Sequence, residues 1–338
     1  MAEFFLDYSA FLLKTVTIVL AVIGCAVGVM LLASRGREAL RGHLEIKNLN
    51  EKYQDMTTAL EAHTLSKEAF KKVQQTRKKT QKKQAKTSEN ARPRVFVLNF
   101  DGDIKASTAS SLTEEITAVL LIAKPEDEIF LRLQSGGGLV HAYGLAASQL
   151  TRIKARNIPL TIGVDKIAAS GGYMMACVAD RIVAAPFAVI GAIGVVAQIP
   201  NFHRLLKKYD IDFEQITAGE YKRTLTLFGE NTDRGRAKFK EELEDTHVLF
   251  KDFIAEHRPQ VTMEHIATGE HWPAKRALDL KLVDELMTSD DYLMKKAENA
   301  DLYEITYAVK RPWGVRLGWF IRHAIDNVLS RDITRSLS

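Results

Sequence analysis

Cysteine is nearly absent: two residues in 338, Cys25 in an apolar run and Cys177 in a stretch that reads as a buried helix. Two such residues build no disulfide framework and leave the redox compartment open. No His-Glu-x-x-His pair and no Cys/His cluster occurs, so no metal centre is expected. No Gly-x-Gly-x-x-Gly spacing and no Gly-Lys-Ser/Thr loop is present, which argues against a nucleotide fold, and no cofactor is called for. Aromatic residues are missing from the most basic stretch, where eight Lys and Arg fall between Lys71 and Lys86. That stretch accounts for the formal charge of +5 and gives bases nothing to stack on, so nucleic acid is not an expected partner.

What is present begins with one long uncharged run. Thr15 to Ala33 contains 19 residues without a charge, enough at about 1.5 Å per residue to span a bilayer core. The acidic residues Glu3 and Asp7 before it, its length, and the lack of a clean cleavage site favour an uncleaved transmembrane anchor over a signal peptide. Arg35, Arg37, Arg41 and Lys47 follow the run, which by the positive-inside rule places the rest of the chain in the cytoplasm.

Residues 1–14 form a flank, 15–33 the anchor and 34–93 a charged helical or flexible connector that Pro93 closes. Within the connector Leu49, Tyr53, Met56 and Leu60 make a short seam that could pair with a like helix. The lysine-rich part beyond it reads as a solvated helix or tether, with anionic lipid as the better-fitting contact.

From Arg94 strands alternate with helical patterns, so residues 94–300 read as one α/β domain. Arg94 to Phe100 alternates as a strand, and a helix from Thr108 to Ala123 follows with a possible capping box at Ser111–Glu114. Ile129 to Leu133 runs into Ser135-Gly136-Gly137-Gly138 ahead of a helix. Val189 to Gln198 reads as a β run, Phe213 to Thr217 as extended, and Thr232 to His257 as a long charged helix. Residues 301–338 make a C-terminal strand and an amphipathic helix. In that helix Trp313, Leu317, Phe320, Ile321, Ala324, Ile325 and Val328 share a face, which suits either packing on protein or an interfacial contact with lipid over 312–329.

The candidate chemistry centres on Ala168-Ala169-Ser170-Gly171-Gly172-Tyr173-Met174, a small-residue run between a strand and an apolar helix. An attacking serine needs an exposing turn, backbone N–H donors and a proton acceptor, and a glycine-rich helix start supplies the first two. None of the nine histidines is suggestively placed, and lysines are too numerous for spacing to select one.

The serine run, together with Gly191-Ala192-Ile193-Gly194-Val195 and Ala218-Gly219-Glu220-Tyr221-Lys222-Arg223-Thr224, resembles the signal peptide peptidase A family of membrane-anchored serine peptidases, most nearly its SohB branch. The resemblance spans about Arg94 to Leu286. It implies a ClpP/crotonase-like spiral of β-β-α units behind the anchor and connector, with Ser170 as nucleophile and Lys222 as general base. It also implies an oxyanion hole from the Gly171 N–H and an N–H of the Gly137/Gly138 pair. Peptide substrates such as remnant signal peptides, a homo-oligomeric ring and a single-pass location in a bacterial inner membrane follow from it too. Its Gram-negative members suggest periplasmic work, against the orientation read from the basic flank.

Two positions depart from the family pattern. Gly136 stands where a proline is usual, and Ala192 where a serine hydroxyl would orient the lysine amine. Thr217, Tyr221 and Thr224 are the candidate replacements for that hydroxyl. The departures keep a membrane scaffold with a lapsed site in view, and acyl-CoA chemistry on the same fold is the other alternative.

Overall fold

The computed structural model describes residues 42–87 and 92–309, together with Val16 and Val19. Apart from Val16 and Val19, the expected anchor at 15–33 lies outside the described residues, as does the amphipathic helix at 312–329. No helix among the described residues is long and apolar enough to cross a membrane.

The strands are β1 (His43–Asn48), β2 (Arg94–Gly102), β3 (Glu128–Ser135), β4 (Leu160–Val164), β5 (Ile167–Ala169), β6 (Arg181–Ala184), β7 (Val189–Gly191), β8 (His271–Pro273), β9 (Glu285–Leu286) and β10 (Asp301–Ala308). Ile46–Thr306 forms one compact unit. In it the order β10-β2-β3-β4-β6-β9 makes a wholly parallel sheet. A parallel sheet is covered on both faces, and β2 shows it. Phe96, Leu98 and Phe100 join the main core with helices Ala109–Leu120 and Val140–Lys154, while Val95 and Val97 join a second core with Tyr292 and Leu293 of helix Ser289–Ala297.

A short second layer matters most for the site. β5 leaves the end of β3, where Ser135 pairs with Ala168, and continues to β7, which pairs antiparallel with β8. This layer carries the chain from β4 over the sheet's C-terminal edge and delivers Ser170 beside the glycine turn after β3.

Several expectations change. The domain does not stop at 300, because β10 pairs with β2 from Asp301 through Glu304. The proposed seam is only half apolar contact: Leu49 and Tyr53 pack on the second core, whereas Met56 and Leu60 are exposed. Asn50 fixes that docking, giving hydrogen bonds to the carbonyls of Ala297 and Ala300 and accepting one from the Leu302 N–H. The Ser111–Glu114 capping box does not form, since the helix begins at Ala109 with a helical Thr108 before it. The β run from Val189 ends at Gly191. Ala192 turns at φ 49°, and its N–H goes to the Glu270 carbonyl, so residues 192–202 have no ladder to join. Phe213–Thr217 likewise forms no strand.

Helix Asp233–His257 is started by the Thr232 side chain accepting the Gly235 N–H. Arg258 ends it, 2% exposed, with a bidentate pair to Asp284 at 2.8 Å for both bonds and a third bond to the Lys281 carbonyl. Asp284 also accepts the Ile182 N–H, so one pair ties the helix to β6. Arg258→Met should destabilise the domain by about 2–3 kcal/mol in urea unfolding. The partial exposure of Asp284 keeps the loss below that of a fully buried pair.

Candidate active site

Ser170 occupies the single-residue step between β5 and helix Gly171–Ala176. Its backbone sits at φ 52°, ψ −120°, a conformation that an L-residue adopts only under constraint. Both main-chain groups are held: the N–H donates to the Gly191 carbonyl at 2.8 Å, and the carbonyl accepts the Met174 N–H at 3.0 Å. Ser170 is half-buried and lines a cleft of about 80 Å³, whose apolar walls include Val140, Met174, Val195, Val196 and Phe250. The run after Ser170 must be small because a Cβ on Gly171 would lie 2.4 Å from the Tyr143 ring.

The glycine turn is pinned from below by a chain of hydroxyls. Tyr143 donates to the Asp103 carbonyl at 2.7 Å, so the Ser135 hydroxyl donates to Tyr143 at 2.5 Å and accepts the Gly137 N–H at 3.0 Å. Burial raises the Tyr143 phenol above its ordinary range, which keeps it a donor. Gly137 stands at φ 86°, and a Cβ there would meet the Gly171 nitrogen at 2.6 Å and the Ser170 Cβ at 2.8 Å.

The N–H groups of this turn differ in what they bond. The Gly137 N–H is committed to Ser135, whereas among the described residues no acceptor takes the N–H of Gly138 or of Gly171. Gly138 lines the serine cleft together with Gly171. Among the N–H groups lining the cleft that no acceptor takes are those of Gly171, at the first turn of its helix, and Gly138. Ser135 and Tyr143 escaped the sequence reading. A serine closing a strand immediately before glycines, with a tyrosine one helical turn into the next element, was the available signal.

Lys222 is not in this cleft. It is exposed on the turn after Gly219, whose carbonyl accepts its N–H at 3.2 Å, and lines a separate depression of about 830 Å³ with Phe213, Thr217 and Leu225. Its turn is clamped to helix Asp233–His257 through the neighbours. Arg234 lies over the Tyr221 ring at 5.9 Å and Lys238 at 5.4 Å, while Glu220 pairs with Arg234. Of the three candidate replacements for the hydroxyl missing at Ala192, Tyr221 is engaged by Arg234, and Thr217 shares the depression with Lys222. Cys177 caps the C-terminal end of the serine helix, where burial pushes its thiol well above the usual range and disfavours the thiolate. No group of residues that could hold a metal ion occurs among the described residues.

Comparison with known proteins identifies the family. Residues 3–150 match the N-terminal region of Peptidase family S49, and residues 152–303 match Peptidase family S49 itself. The chain is 46% identical to the probable protease SohB of Haemophilus influenzae over 97% of its own length and 96% of the relative's. It is also 46% identical to the probable protease SohB of Buchnera aphidicola subsp. Schlechtendalia chinensis, covering 87% of this chain and all of that one. Among solved structures, a membrane-bound stomatin-specific protease, 1510-N, aligns at 17% identity with a TM-score of 0.40 over 61% of this chain and 86% of its own. Two family matches that together run from residue 3 to residue 303, with near-full-length kinship to these proteases, show that the chain belongs to peptidase family S49, in its SohB branch.

Proposed function

We propose that the chain is a membrane-anchored serine endopeptidase that hydrolyses small or unfolded membrane-proximal peptides through an acyl-enzyme on Ser170. The observation that carries this reading is the strained Ser170 turn beside two uncommitted N–H donors. In the first step Ser170 Oγ attacks the scissile carbonyl carbon while its proton passes to the Lys222 amine. The oxyanion lies between the N–H groups of Gly171 and Gly138. Collapse expels the amine of the leaving peptide, which takes the proton from Lys222, and water then repeats the sequence to release the acyl group. The apolar walls of the cleft suit an apolar side chain next to the scissile bond.

Ser170 and Lys222 line different depressions of one chain, so the dyad closes only on assembly or on movement of the segment between them. A second copy is the better fit. Phe202, Leu205, Tyr209, Ile211 and Ile216 of that segment are all more than 40% exposed, an apolar surface that a partner copy would cover.

A fluorogenic unfolded peptide and an acyl-CoA thioester, offered side by side, separate this reading from its rivals. Cleavage of the peptide alone, lost in Ser170→Ala and in Lys222→Ala, supports the peptidase. Thioester turnover that survives both substitutions would assign acyl-CoA chemistry, and no turnover of either would assign a scaffold. Ala192→Ser restores the family's hydroxyl at a position that already tolerates φ 49°. Its expected effect is a rise of about tenfold in kcat, the size of one well-placed hydrogen bond. An unchanged rate would show that another group already orients the lysine.

A further inference from the structure

Charge is distributed most unevenly on helix Lys67–Thr87, which no part of the serine mechanism uses. Its inward face is set by packing: Phe70, Val73, Gln74 and Arg77 are half-buried, and Arg77 donates to Thr58 at 3.2 Å and to Glu61 at 3.0 Å on the preceding helix, Leu49–Thr64. At about 100° per residue these four positions centre on one side of the helix. Lys67, Lys71, Lys72, Lys78 and Lys79 are exposed and fall on the opposite side, and the same period puts the positions of Lys82, Lys83 and Lys86 there as well. All eight lysine positions lie within an arc of about 160° along roughly 30 Å of helix. Glu68, in the first turn, is the one acidic position on that arc. Packing explains why lysines face outward, but not why the outward arc carries eight lysine positions and one acidic one.

We propose that this lysine face docks on the anionic headgroup surface of a bilayer. The stripe is straight and made of point charges, which suits a plane of phosphates. It lacks aromatic residues for stacking on bases, and its one arginine points the other way. The same chain carries the uncharged run Thr15–Ala33 upstream, so the inference rests on the membrane-anchored reading for its geometry but on the lysine face for its lipid preference. Each lysine near such a surface strengthens binding by about fivefold.

The test uses the full chain in phosphatidylcholine nanodiscs and in discs that also contain phosphatidylglycerol, with tryptic cleavage between Lys71 and Lys86 followed by mass spectrometry. Cleavage should slow by about tenfold or more in the anionic discs at low salt and recover at high salt. K71Q/K72Q/K78Q/K79Q should remove the difference at the remaining lysines and leave peptide hydrolysis unchanged. Equal cleavage in the two discs overturns the proposal. Protection by double-stranded RNA without protection by phosphatidylglycerol also overturns it and assigns a nucleic-acid partner. Co-flotation with phosphatidylcholine discs reads the anchor separately. If it fails, the anchored reading is wrong, and cleavage with and without added phosphatidylglycerol vesicles still decides the lysine face.

Discussion

Ser170→Ala should lower kcat for a peptide substrate by about 10⁴- to 10⁶-fold and leave KM within a few-fold, because it removes the attacking atom and little of the binding surface. Lys222→Ala should fall nearly as far, since nucleophile and base act as a unit, and the double variant should be no worse than Ser170→Ala alone. A stability measurement separates this loss from unfolding. Ser170 sits at φ 52°, a conformation glycine adopts freely, so Ser170→Gly should be more stable than the parent by about 1 kcal/mol while equally inactive. Ser170→Ala keeps the strain and should melt near the parent. A variant that is better folded yet inactive is hard to explain unless the strain serves the hydroxyl's placement.

Gly137→Ala is expected to cost about 10²- to 10³-fold in kcat, the range for loss of one oxyanion donor. The added methyl would lie 2.6 Å from the Gly171 nitrogen and 2.9 Å from the Ala169 carbonyl, in a residue held at φ 86°. It would displace the turn from the donor it abuts and loosen the Ser135–Tyr143 bonds that hold it. Gly136→Ala is the matched control. A Cβ there meets only the Ile167 side chain, at 3.7 Å, so its rate should stay within a few-fold of the parent. Steady-state kinetics on the two variants, with melting temperatures alongside, checks the contrast.

The Ser170 turn was readable from the sequence because its demands are local. A residue turned between a strand and a glycine-rich helix start leaves small residues in a row, and β2 and β3 read as near-continuous apolar runs because each face meets its own core. What escaped notice depends on partners far along the chain. β10 belongs to the domain only because it finds β2 some 200 residues earlier, as the pairing of Asp301 with Arg94 shows. Val195 and Val196 suit a strand by propensity, yet the turn at Ala192 and the bond to Glu270 take that segment out of the sheet. The half-docked seam of Leu49 and Tyr53 turned on a half-buried asparagine, Asn50, which no hydrophobic period reports. Lys222 is the sharpest case. The family resemblance named it, whereas the fold of one chain leaves it exposed on a clamped turn in a depression separate from the Ser170 cleft.

The central claim is that Ser170 becomes covalently acylated with help from Lys222. Reaction of the full-length protein with a fluorophosphonate probe, followed by peptide mapping, measures it most directly. The expected result is one adduct on Ser170, absent in Ser170→Ala and formed far more slowly in Lys222→Ala. An adduct on another residue, or labelling that persists in Ser170→Ala, would contradict it.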